Sequence, residues 1–548
     1  MRWALWSAFG PSQLLVLAVL LGALLLAGLA HAWRAAGTVA DDTPAYHEPY
    51  RPQFHFTPAR NWMNDPNGLV FYDGEFHLFY QYNPFGDRWG HMSWGHAVSP
   101  DLVHWQHLPL ALAEENGVMA FSGSAVVDWK NTSGFGREGR PPLVAIYTGH
   151  YTERPLQNQH VAYSNDRGRT WTKYASNPVL DIGQKDFRDP KVFWHAPSER
   201  WVMVVAWPQE RKVRLYASRD LKSWSHLTDF GPAGATGGIW ECPDLFPLPV
   251  EGAPRETRWV LIVNLNPGGP SGGSGSQYFV GDFDGRQFVL DPGASRGGAP
   301  GGAAPLWLDH GADFYAAVTW SDVPERDGRR IALGWMSNWE YAQEVPTSPW
   351  RSAMTVPRVL TLRRTPEGLR VCQQPVKELE QLRRGAPRRF AGGTFSAAGA
   401  WLSRQTTLPP LLDVEVALSG VTAATPFTLD LETGPDERTT ISVDPARGRL
   451  AVDRTRSGRV GFQPTFAGRH EAPLRLVDGR ARLRLLLDES SLEVFAQDGE
   501  TVITDLVFPT AETRVLSLSA RGTGMPAVDG ITLHELSSAW RPDRPVVH

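Results

Sequence analysis

Four acidic residues stand next to turn-forming or aromatic residues at widely separated points of the sequence. Asp65 lies in Asn-Asp-Pro-Asn-Gly, Asp189 follows Phe-Arg, Glu241 lies in Trp-Glu-Cys-Pro-Asp, and Asp313 opens Asp-Phe-Tyr-Ala. Two carboxyl groups that flank a glycosidic bond can cleave it, because an ionised one attacks the anomeric carbon while a protonated one donates to the departing oxygen. These roles require surroundings that separate the two pKa values. The four acids are candidates for this chemistry if the fold brings them together.

The neighbours of three of these acids suggest different roles. Donors in the tight turn around Asp65 would hold that carboxylate ionised. Glu241 lies between a tryptophan and a cysteine and is expected to face a like-charged site. Both features favour a protonated carboxyl group, so Glu241 is the better candidate acid. The Arg188 guanidinium would keep Asp189 anionic, which suits a group that binds hydroxyls and supports positive charge at the reacting centre.

Tryptophans near these acids indicate what the site would bind. Four of the 22 Trp lie in or near the acid-bearing segments, namely Trp62, Trp89, Trp240 and Trp335. Aromatic faces pack on the C–H surface of a sugar ring, while carboxylates carry out the chemistry. Taken singly, Asp65 reads better as a turn residue, the Arg188–Asp189 pair as an ion pair, and each tryptophan as core. Their combination favours a sugar-binding pocket.

A weak internal repeat shows which elements would position these residues. Strand-turn-aromatic units end at Trp105, Trp171, Trp224 and Phe288, and a fifth unit follows from Asp313. Five units of about four short strands predict a five-bladed β-propeller, in which stacked blades bury what no blade buries alone. The units open with NDPNGLVF, FSGSAVV, FRDPKVFW, WECPDLF and DFYAAVTW. If these segments form the innermost strands, their side chains converge on one axial pocket.

The pattern changes after about residue 365, and the predicted fold class is all-β throughout. Segments that alternate apolar and polar residues, such as LLDVEVALSG and SLEVFAQDG, recur between turn signals and are typical of a β-sandwich. We therefore predict a propeller over 50–365, a linker over 366–390 that contains a short helical stretch, and a β-sandwich over 391–540.

Composition excludes several classes of protein and site. The net charge is −4 and the arginines are scattered among acids, so no nucleic-acid partner is expected. Two cysteines exclude a disulfide framework. The histidines at 91, 96, 104 and 107 lack the compact spacing of a zinc site, and we predict neither a metal nor a cofactor.

The N-terminal segment resembles an export signal. An uncharged apolar run over 14–30 follows Arg2, and Ala30-His31-Ala32 fits the small-x-small pattern of signal peptidase sites. We predict a signal peptide over 1–32. The alternative is an uncleaved anchor, because an apolar run of this length is at the lower limit for spanning a bilayer. In either case the protein is expected to be secreted, periplasmic or at the cell surface, with membrane contact only through such an anchor.

Three of the acid-bearing segments also carry a family resemblance. WMNDPNG at 62–68, FRDP at 187–190 and WECPD at 240–244 resemble the signature motifs of glycoside hydrolase family 32, the β-fructofuranosidases. FYQYNP, WGHAVSPDLVHW, ALGWMSNW and LEVFAQDG extend the similarity over nearly the whole mature chain. The resemblance implies a five-bladed propeller, a C-terminal β-sandwich and retaining hydrolysis through a covalent fructosyl-enzyme. It makes Asp65 the nucleophile, Glu241 the acid/base and Asp189 the transition-state stabiliser.

The same comparison implies the substrate contacts. These fall at Asn64, Gln81, Trp89, Phe121, Ser122, Arg188 and Trp335. Asp313 is the remaining candidate for substrate binding, either as a ligand of a sugar hydroxyl or as a brace for the pocket.

The fourth-unit run NPGGPSGGSGSQYFVGDFDG and the segment DHGADFYA are most similar to the exo-acting members of that family. The predicted reaction is release of terminal fructose from levan or inulin, as polysaccharide or oligosaccharide, with sucrose as a further substrate. Two alternatives stay open, a fructosyltransferase that uses the same intermediate and a catalytically inactive fructan-binding protein. An inverting propeller glycosidase, with more widely spaced carboxyl groups, is a third.

Overall fold

Turns built around an aspartate set the spacing of the strands in the first part of the chain. In the computed structural model, which describes residues 46–291, 293, 304–406, 408–521 and 524–540, the first four repeat units turn at such a residue, namely Asp101, Asp166, Asp220 and Asp284. Asp101 Oδ1 accepts hydrogen bonds from the amides of Val103 and His104, and Asp220 Oδ1 accepts them from Lys222 and Ser223. This local bonding is the physical basis of the repeat that the sequence displays.

The strands between these turns form five antiparallel sheets with four main strands each, and one parallel pair, Val250 with Leu362, joins the fourth and fifth into a single ten-stranded sheet. The first sheet contains β1 (Asn61–Tyr72), β2 (Glu75–Tyr82), β3 (Ser93–Ser99) and β4 (Gln106–Leu112). The second contains β5 (Val118–Val127), β6 (Leu143–Tyr151), β7 (Gln157–Ser164) and β8 (Thr172–Lys173), with β9 (Leu180–Gln184) also paired to β7. The third contains β10 (Arg188–His195), β11 (Arg200–Trp207), β12 (Lys212–Ser218) and β13 (Ser225–Phe230).

The fourth and fifth sheets follow the same order. The fourth contains β14 (Ile239–Val250), β15 (Ala253–Asn266), β16 (Gly275–Phe283) and β17 (Phe288–Leu290), with β18 (Leu306–Trp307) paired to β16. The fifth contains β19 (Tyr315–Thr319), β20 (Arg330–Met336), β23 (Arg358–Thr365) and β24 (Gly368–Pro375); β21 (Trp350–Arg351) pairs with β1, and β22 (Ala353–Met354) with β20. Short 3-10 helices lie at Ala196–Ser198, Pro208–Glu210 and Lys377–Leu382.

The first strands of the five sheets contact one another in a closed ring. β1 lies against β5, β5 against β10, β10 against β14, β14 against β19, and β19 returns to β1. The parallel pairing of β21 with β1 ties the segment between β20 and β23 of the fifth sheet back to the first sheet. The five-bladed propeller is therefore confirmed, and the segments predicted to be innermost are the strands of this ring.

The C-terminal part is a two-sheet sandwich, as predicted. One sheet has the order β25 (Arg383–Phe390), β36 (Ala527–Leu536), β27 (Leu412–Ser419), β32 (Ala481–Asp488), β33 (Ser491–Ala496) and β34 (Thr501–Leu506), with β26 (Gly393–Thr394) on β36. The other has the order β31 (Arg469–Pro473), β30 (Arg449–Arg456), β29 (Glu437–Asp444), β28 (Phe427–Gly434) and β35 (Val515–Ala520). Helix α1 (Phe395–Leu402) is capped by the Thr394 side chain, which accepts from the Ala397 amide.

The segment 366–390, predicted as a linker, consists mainly of β24, the Lys377–Leu382 helix and β25. β24 pairs with β23 of the propeller, and β25 pairs with β36 of the sandwich. The predicted signal peptide, 1–32, lies outside the described residues. Within the described ranges, no helix is long and apolar enough to cross a membrane.

Buried charged residues join the sandwich to the propeller. Arg454 of β30 reaches Asp313 at 2.6 Å, and Arg358 of β23 reaches Glu493 of β33 at 2.5 Å. His55 lies between Asp488 and Glu493, 2.7 Å from each. These side chains are almost fully removed from solvent, so each charge depends on its partner across the interface.

Candidate active site

The starts of three inner strands bring Asp65, Asp189 and Glu241 into one pocket. Residue 242 shows how close they are, because the Cys242 amide donates to Asp189 Oδ2 at 3.0 Å and its Sγ lies 3.5 Å from Asp65 Oδ2. Glu241 precedes it on β14 and is bound by Arg188, the neighbour of Asp189. Parallel inner strands therefore gather acids that lie up to 176 residues apart in the sequence.

Asp65 lies on β1, where the register shifts between Met63 and Pro66. Its Oδ2 accepts a 2.6 Å hydrogen bond from Ser122 Oγ and its Oδ1 a 3.0 Å bond from Asn64 Nδ2. The sequence placed this residue in a tight turn whose donors keep it ionised. The structure instead shows a bulged strand, in which burial raises the pKa of Asp65 and the two donors only partly oppose that shift.

Asp189 adopts a left-handed backbone conformation, with φ of 66°. Its amide donates to Thr148 Oγ1 at 2.9 Å, and the register of β10 shifts between Arg188 and Lys191. A strained conformation of this kind turns the carboxylate toward the axis and is typical of functional positions. The side chain is 6 % exposed.

The protonation of Asp189 differs from the prediction. Burial raises the pKa of Asp189 to about 7; Arg188 opposes this shift, while the charges of Glu241 and Asp65 add to it. Arg188 Nε lies 3.9 Å from Asp189 Oδ2, against 2.9 Å between Arg188 Nη2 and Glu241 Oε1. Arg188 favours the anionic form of Asp189, as expected, but it only partly opposes the effect of burial, and its guanidinium is directed mainly at Glu241.

Glu241 has polar partners on both oxygens. Arg188 donates to Oε1 through Nε at 3.1 Å and Nη2 at 2.9 Å, and the Tyr315 hydroxyl donates to Oε2. The wholly apolar surroundings predicted from the neighbouring sequence are therefore not observed, because Trp240 packs in the core and only the Cys242 thiol lies beside the carboxyl groups. Burial alone would lower the pKa of Arg188, but the carboxylates of Glu241, Asp189 and Asp186 raise it above its usual value.

Tyr315 is a site residue that sequence reasoning missed. It lies on β19, two residues after Asp313 in the segment Asp-Phe-Tyr-Ala, and its side chain is buried. In that segment, the search for carboxyl groups selected Asp313 instead. The signal that could have identified Tyr315 is its place in a segment predicted to form an inner strand, which is also the feature that pointed to the acids.

Asp313 itself lies outside the carboxylate cluster. It is fully buried, Oδ1 accepts from the Tyr341 hydroxyl at 2.7 Å, and Oδ2 accepts from Arg454 at 2.6 Å and from the Leu506 amide at 2.8 Å. With both oxygens bound by protein donors, its carboxylate braces the propeller against the sandwich. The predicted role as a sugar ligand is corrected accordingly.

The predicted substrate-contact residues occupy different depths of the pocket. Asn64, Gln81 and Ser122 are buried in its wall, and the Gln81 amide donates to the Ala120 carbonyl at 3.0 Å. Trp89 is 39 % exposed and packs edge-on against Phe121, with ring centroids 6.0 Å apart. These two aromatic residues therefore form one side of the rim.

Three predicted aromatic residues lie behind the pocket surface. Trp335 and Trp62 are fully buried, with ring centroids 6.1 Å apart, and the Trp62 indole donates to Asn64 Oδ1 at 2.7 Å. Trp240 packs in the core between the third and fourth sheets, where it donates to the Ala235 carbonyl. Trp62 therefore orients Asn64, and Trp240 is corrected from a pocket residue to a core residue. The sugar contact implied for Trp335 stays a prediction.

Buried polar residues fill the axial channel beyond the carboxylates. Lys191 Nζ lies 3.1 Å from Asp244 Oδ2 and donates to the Thr319 carbonyl at 2.5 Å, and all three residues are buried. They lie further along β10, β14 and β19 than the catalytic candidates. These residues therefore close the floor of the pocket.

No group of three or more His, Cys, Asp or Glu side chains in the described ranges is arranged to hold a metal ion.

Cys242 is not positioned as a nucleophile. Its thiol is buried beside three carboxyl groups, and burial together with their charges raises the pKa of Cys242 well above its usual value. A protonated thiol is a poor nucleophile. Its φ of 43° and the hydrogen bond from Asn264 Nδ2 to its carbonyl hold the amide toward Asp189, so this residue supports the carboxylates as well as packing beside them.

Sequence comparison identifies the family of both parts of the chain. The profile "Glycosyl hydrolases family 32 N-terminal domain" matches residues 55–375, and "Glycosyl hydrolases family 32 C terminal" matches residues 378–535. A levanase of Bacillus subtilis (strain 168) is 50% identical over 509 residues, covering 91% of this chain and 72% of the relative. An extracellular exo-inulinase of Aspergillus ficuum is 40% identical over 545 residues, covering 94% of this chain and 98% of the relative.

Solved structures with a similar fold carry similar names. The exo-inulinase of Aspergillus awamori superposes with a TM-score of 0.82 at 39% identity, covering 90% of this chain and all of that one. A β-fructofuranosidase of Schwanniomyces occidentalis, complexed with fructosyl-erythritol, gives a TM-score of 0.78 at 31% identity, covering 91% of this chain and 99% of that one.

Proposed function

The chain belongs to glycosyl hydrolase family 32, and we propose that it is an exo-β-fructosidase that releases terminal fructose from levan, inulin and their oligosaccharides and also hydrolyses sucrose. The similar levanase and exo-inulinases support this activity. The observation that carries it is the convergence of Asp65, Asp189 and Glu241 at the closed end of one pocket.

The closed floor supports exo action. Lys191, Asp244 and Thr319 pair with one another beyond the carboxylates, so a polymer is expected to enter from the rim and not to pass through the propeller axis. The terminal fructosyl unit would therefore occupy the pocket while the rest of the chain extends past the rim at Trp89.

In the proposed mechanism, Asp65 attacks the anomeric carbon of the terminal fructosyl unit. Glu241 gives its proton to the departing oxygen, and a covalent fructosyl-enzyme forms with retention achieved over two displacements. Water then attacks that intermediate, and Glu241 accepts the proton of the water. Ser122 and Asn64 orient the Asp65 oxygens, which favours the attack geometry.

Arg188 and Tyr315 hold the acid/base in place. Both donate to Glu241, which must be a carboxylate after it has protonated the leaving group, so these donors stabilise the form that the first step generates. Asp189 lies where it can accept hydrogen bonds from fructosyl hydroxyls and stabilise positive charge that develops at the ring. Asn64, Gln81, Trp89, Phe121 and Ser122 complete the proposed substrate contacts.

The experiment is digestion of levan, inulin and sucrose with chromatographic identification of the products. The proposal expects free fructose as the only product from the fructans, and glucose with fructose from sucrose. Short oligosaccharides would indicate endo action, longer ones a fructosyltransferase, and no turnover a binding protein. Asp65→Ala, purified in the same way, controls for contaminating activity.

Export is proposed as well. Relatives described as extracellular exo-inulinases support a protein that acts outside the cytoplasm. The signal peptide over 1–32 and its cleavage are part of this proposal, with an uncleaved anchor as the alternative. We also propose that the chain has two domains, which divide between the last propeller strand, β24, and the first sandwich strand, β25.

A further inference from the structure

A second cavity opens at the other end of the propeller channel. It has a volume of about 660 Å³ and is lined by the far ends of the inner strands, including Phe193 to His195 of β10 and Asp244 to Pro247 of β14. On β10, Asp189 lies four to six residues before Phe193 to His195, roughly 13–20 Å at ~3.3 Å per residue, whereas Lys191, at the inner end of the cavity, is two residues from Asp189. We call this feature the distal cavity and define it by Trp129, Lys191, Trp194, Trp259, Asp322 and Arg330.

The distal cavity is separated from the catalytic pocket by packed protein. Lys191 and Asp244 border this cavity, and Lys191 also donates to the Thr319 carbonyl, so these paired residues lie between the cavity and the catalytic pocket. A ligand in the distal cavity therefore cannot reach Asp65 or Glu241 through the channel. Any role of this cavity is separate from bond cleavage.

Tryptophan faces form much of its wall, and one of them is unusually exposed. Trp129 is 62 % exposed, yet its indole Nε1 donates to Asp322 Oδ1 at 2.9 Å and its ring lies 5.9 Å from Tyr72. The other oxygen of Asp322 accepts from the Val127 amide at 2.9 Å. A large apolar ring on the surface is thus held in one orientation, which reduces the conformational entropy lost when a ligand packs on it.

The cavity also offers polar groups that the protein leaves partly unused. Within the described residues, the one hydrogen bond of Arg330 runs from Nη1 to the Trp320 carbonyl at 3.3 Å, while its guanidinium lies over the Phe246 ring. Asp244 is fully buried, and its Oδ1 lacks a partner among the same residues. A guanidinium and a carboxylate oxygen with free bonding capacity suit a ligand with many hydroxyl groups.

Charge and shape together favour a neutral sugar. Lys191 is neutralised by Asp244, and Arg330 lies in the field of Asp244 and Asp322, so the cavity carries no strong excess of either sign. Aromatic faces pack on the C–H surfaces of sugar rings, and a cavity of this size is in the range that holds small ligands. An anion would have to compete with the two carboxylates already present.

We propose that the distal cavity is a non-catalytic binding site for a fructosyl segment of the polymer substrate. This rests on the proposed function only for the identity of the sugar. A chain held there, with a ring face on Trp129 and its hydroxyls on Arg330, keeps the enzyme attached to the polymer between cleavage events. The site therefore affects polymers and leaves a disaccharide substrate unaffected.

The test uses substitutions at two wall residues. Trp129→Ala removes an exposed ring, and Arg330→Met keeps an unbranched apolar side chain but is shorter and loses the donors. Both variants are expected to raise KM for levan or inulin about three- to tenfold, which corresponds to the loss of one aromatic or polar contact with the polymer. The values of kcat and KM for sucrose should stay unchanged. Trp129→Phe should restore most of the polymer affinity. Met525→Ala, at a residue 56 % exposed on the sandwich, is the matched control.

Direct binding is measured by native electrophoresis in gels that contain levan or inulin. Glu241→Ala serves as the background, because it prevents digestion of the gel. Retardation that is lost in Glu241→Ala/Trp129→Ala supports the proposal, whereas equal retardation of both proteins, or an unchanged KM for polymer, overturns it. If the wild-type enzyme hydrolyses neither sucrose nor fructan, the proposed function fails first, and gels with other polysaccharides still report whether the cavity binds sugar.

Discussion

At the scale of single residues, Arg188 is the centre of the site. Its guanidinium contacts Glu241 at 2.9 Å and Asp186 at 3.0 Å, and lies 3.9 Å from Asp189, so one cation serves three carboxylates. Burial of Asp189 outweighs the opposing charge of Arg188 and raises the pKa of Asp189 to about 7. A bound fructosyl unit that donates hydroxyl hydrogen bonds to Asp189 would favour its ionised form, so substrate completes the electrostatics of the site.

Replacement of either reacting carboxyl group is expected to abolish turnover without unfolding the protein. Asp65→Ala and Glu241→Ala should lower kcat on sucrose by several orders of magnitude, because each removes one of the two groups that the reaction requires. Melting temperature and circular dichroism check the fold. A variant with near-normal kcat would show that the roles are misassigned.

Asp189→Asn is expected to lower activity and raise stability at neutral pH. The pKa of Asp189 in the folded state, about 7, exceeds the usual 3.8. Between about pH 4 and pH 7 the carboxyl group is therefore ionised in the unfolded chain but still protonated in the folded protein, so wild-type stability falls as pH rises through this range. Asparagine avoids this penalty and tolerates a positive φ. The expected gain at pH 8 is on the order of 2–4 kcal/mol, from about 1.4 kcal/mol per pKa unit.

Melting temperatures at pH 4 and pH 8 test this pH dependence. The difference between Asp189→Asn and wild type should be small at pH 4 and large at pH 8. The same difference at both pH values would mean that Asp189 ionises normally in the free enzyme. Asp413→Asn is a useful contrast, because burial is outweighed there by Arg484 and Arg383, which lower the pKa of Asp413.

At the scale of elements, close packing between strands fixes the catalytic side chains. Gly123 lies on β5 next to Ser122, at a shift in register with β6. A Cβ atom at this position would lie 2.1 Å from the Ile146 carbonyl oxygen and 2.7 Å from Tyr147 Cα. Because both neighbours are backbone atoms, β5 would have to move away from β6.

Gly123→Ala is therefore expected to reduce both stability and activity. Overpacking of this kind costs about 1–3 kcal/mol, and displacement of Ser122 removes its 2.6 Å hydrogen bond to Asp65. Thermal melting and kcat on sucrose measure the two effects. Gly461→Ala, where a Cβ would meet nothing within 4 Å, should leave both unchanged. If the two variants behave alike, contact at Gly123 does not determine the geometry of the site.

Most of the elements could be predicted because their signals are local. The aspartate turns made the repeat visible, and the motif-bearing segments proved to be the inner strands. Features that depend on long-range contacts could not be predicted. Asp313 is directed by Arg454, 141 residues away, Arg188 is directed by Glu241 on another strand, and burial at the axis raises the pKa of Asp65 in spite of its donors.

At the scale of the whole molecule, the sandwich contacts the propeller next to β19, the inner strand of the fifth sheet. Arg454 contacts Asp313, and Tyr315, two residues further along the fifth sheet, donates to Glu241. The interface thus holds the strand that carries part of the acid/base environment. This contact gives the sandwich a structural role in the function of the propeller.

Arg454→Met is expected to destabilise the protein by about 3–5 kcal/mol, because Asp313 would remain buried without its cation. Thermal melting at pH 7 is the measurement. Arg456→Met is the matched control on the same strand, since that side chain is 52% exposed and its loss should cost little. Equal melting temperatures for Arg454→Met and wild type would show that the contact between Arg454 and Asp313 does not stabilise the protein.

The stereochemistry of transfer tests the central claim, that Asp65 forms a covalent fructosyl intermediate and Glu241 serves it as acid and base. Inulin or sucrose is digested in dilute methanol, and the methyl fructofuranoside formed is identified by ¹³C NMR. Two displacements at the anomeric carbon predict the β-anomer. Formation of the α-anomer would mean a single displacement and would contradict the assigned roles.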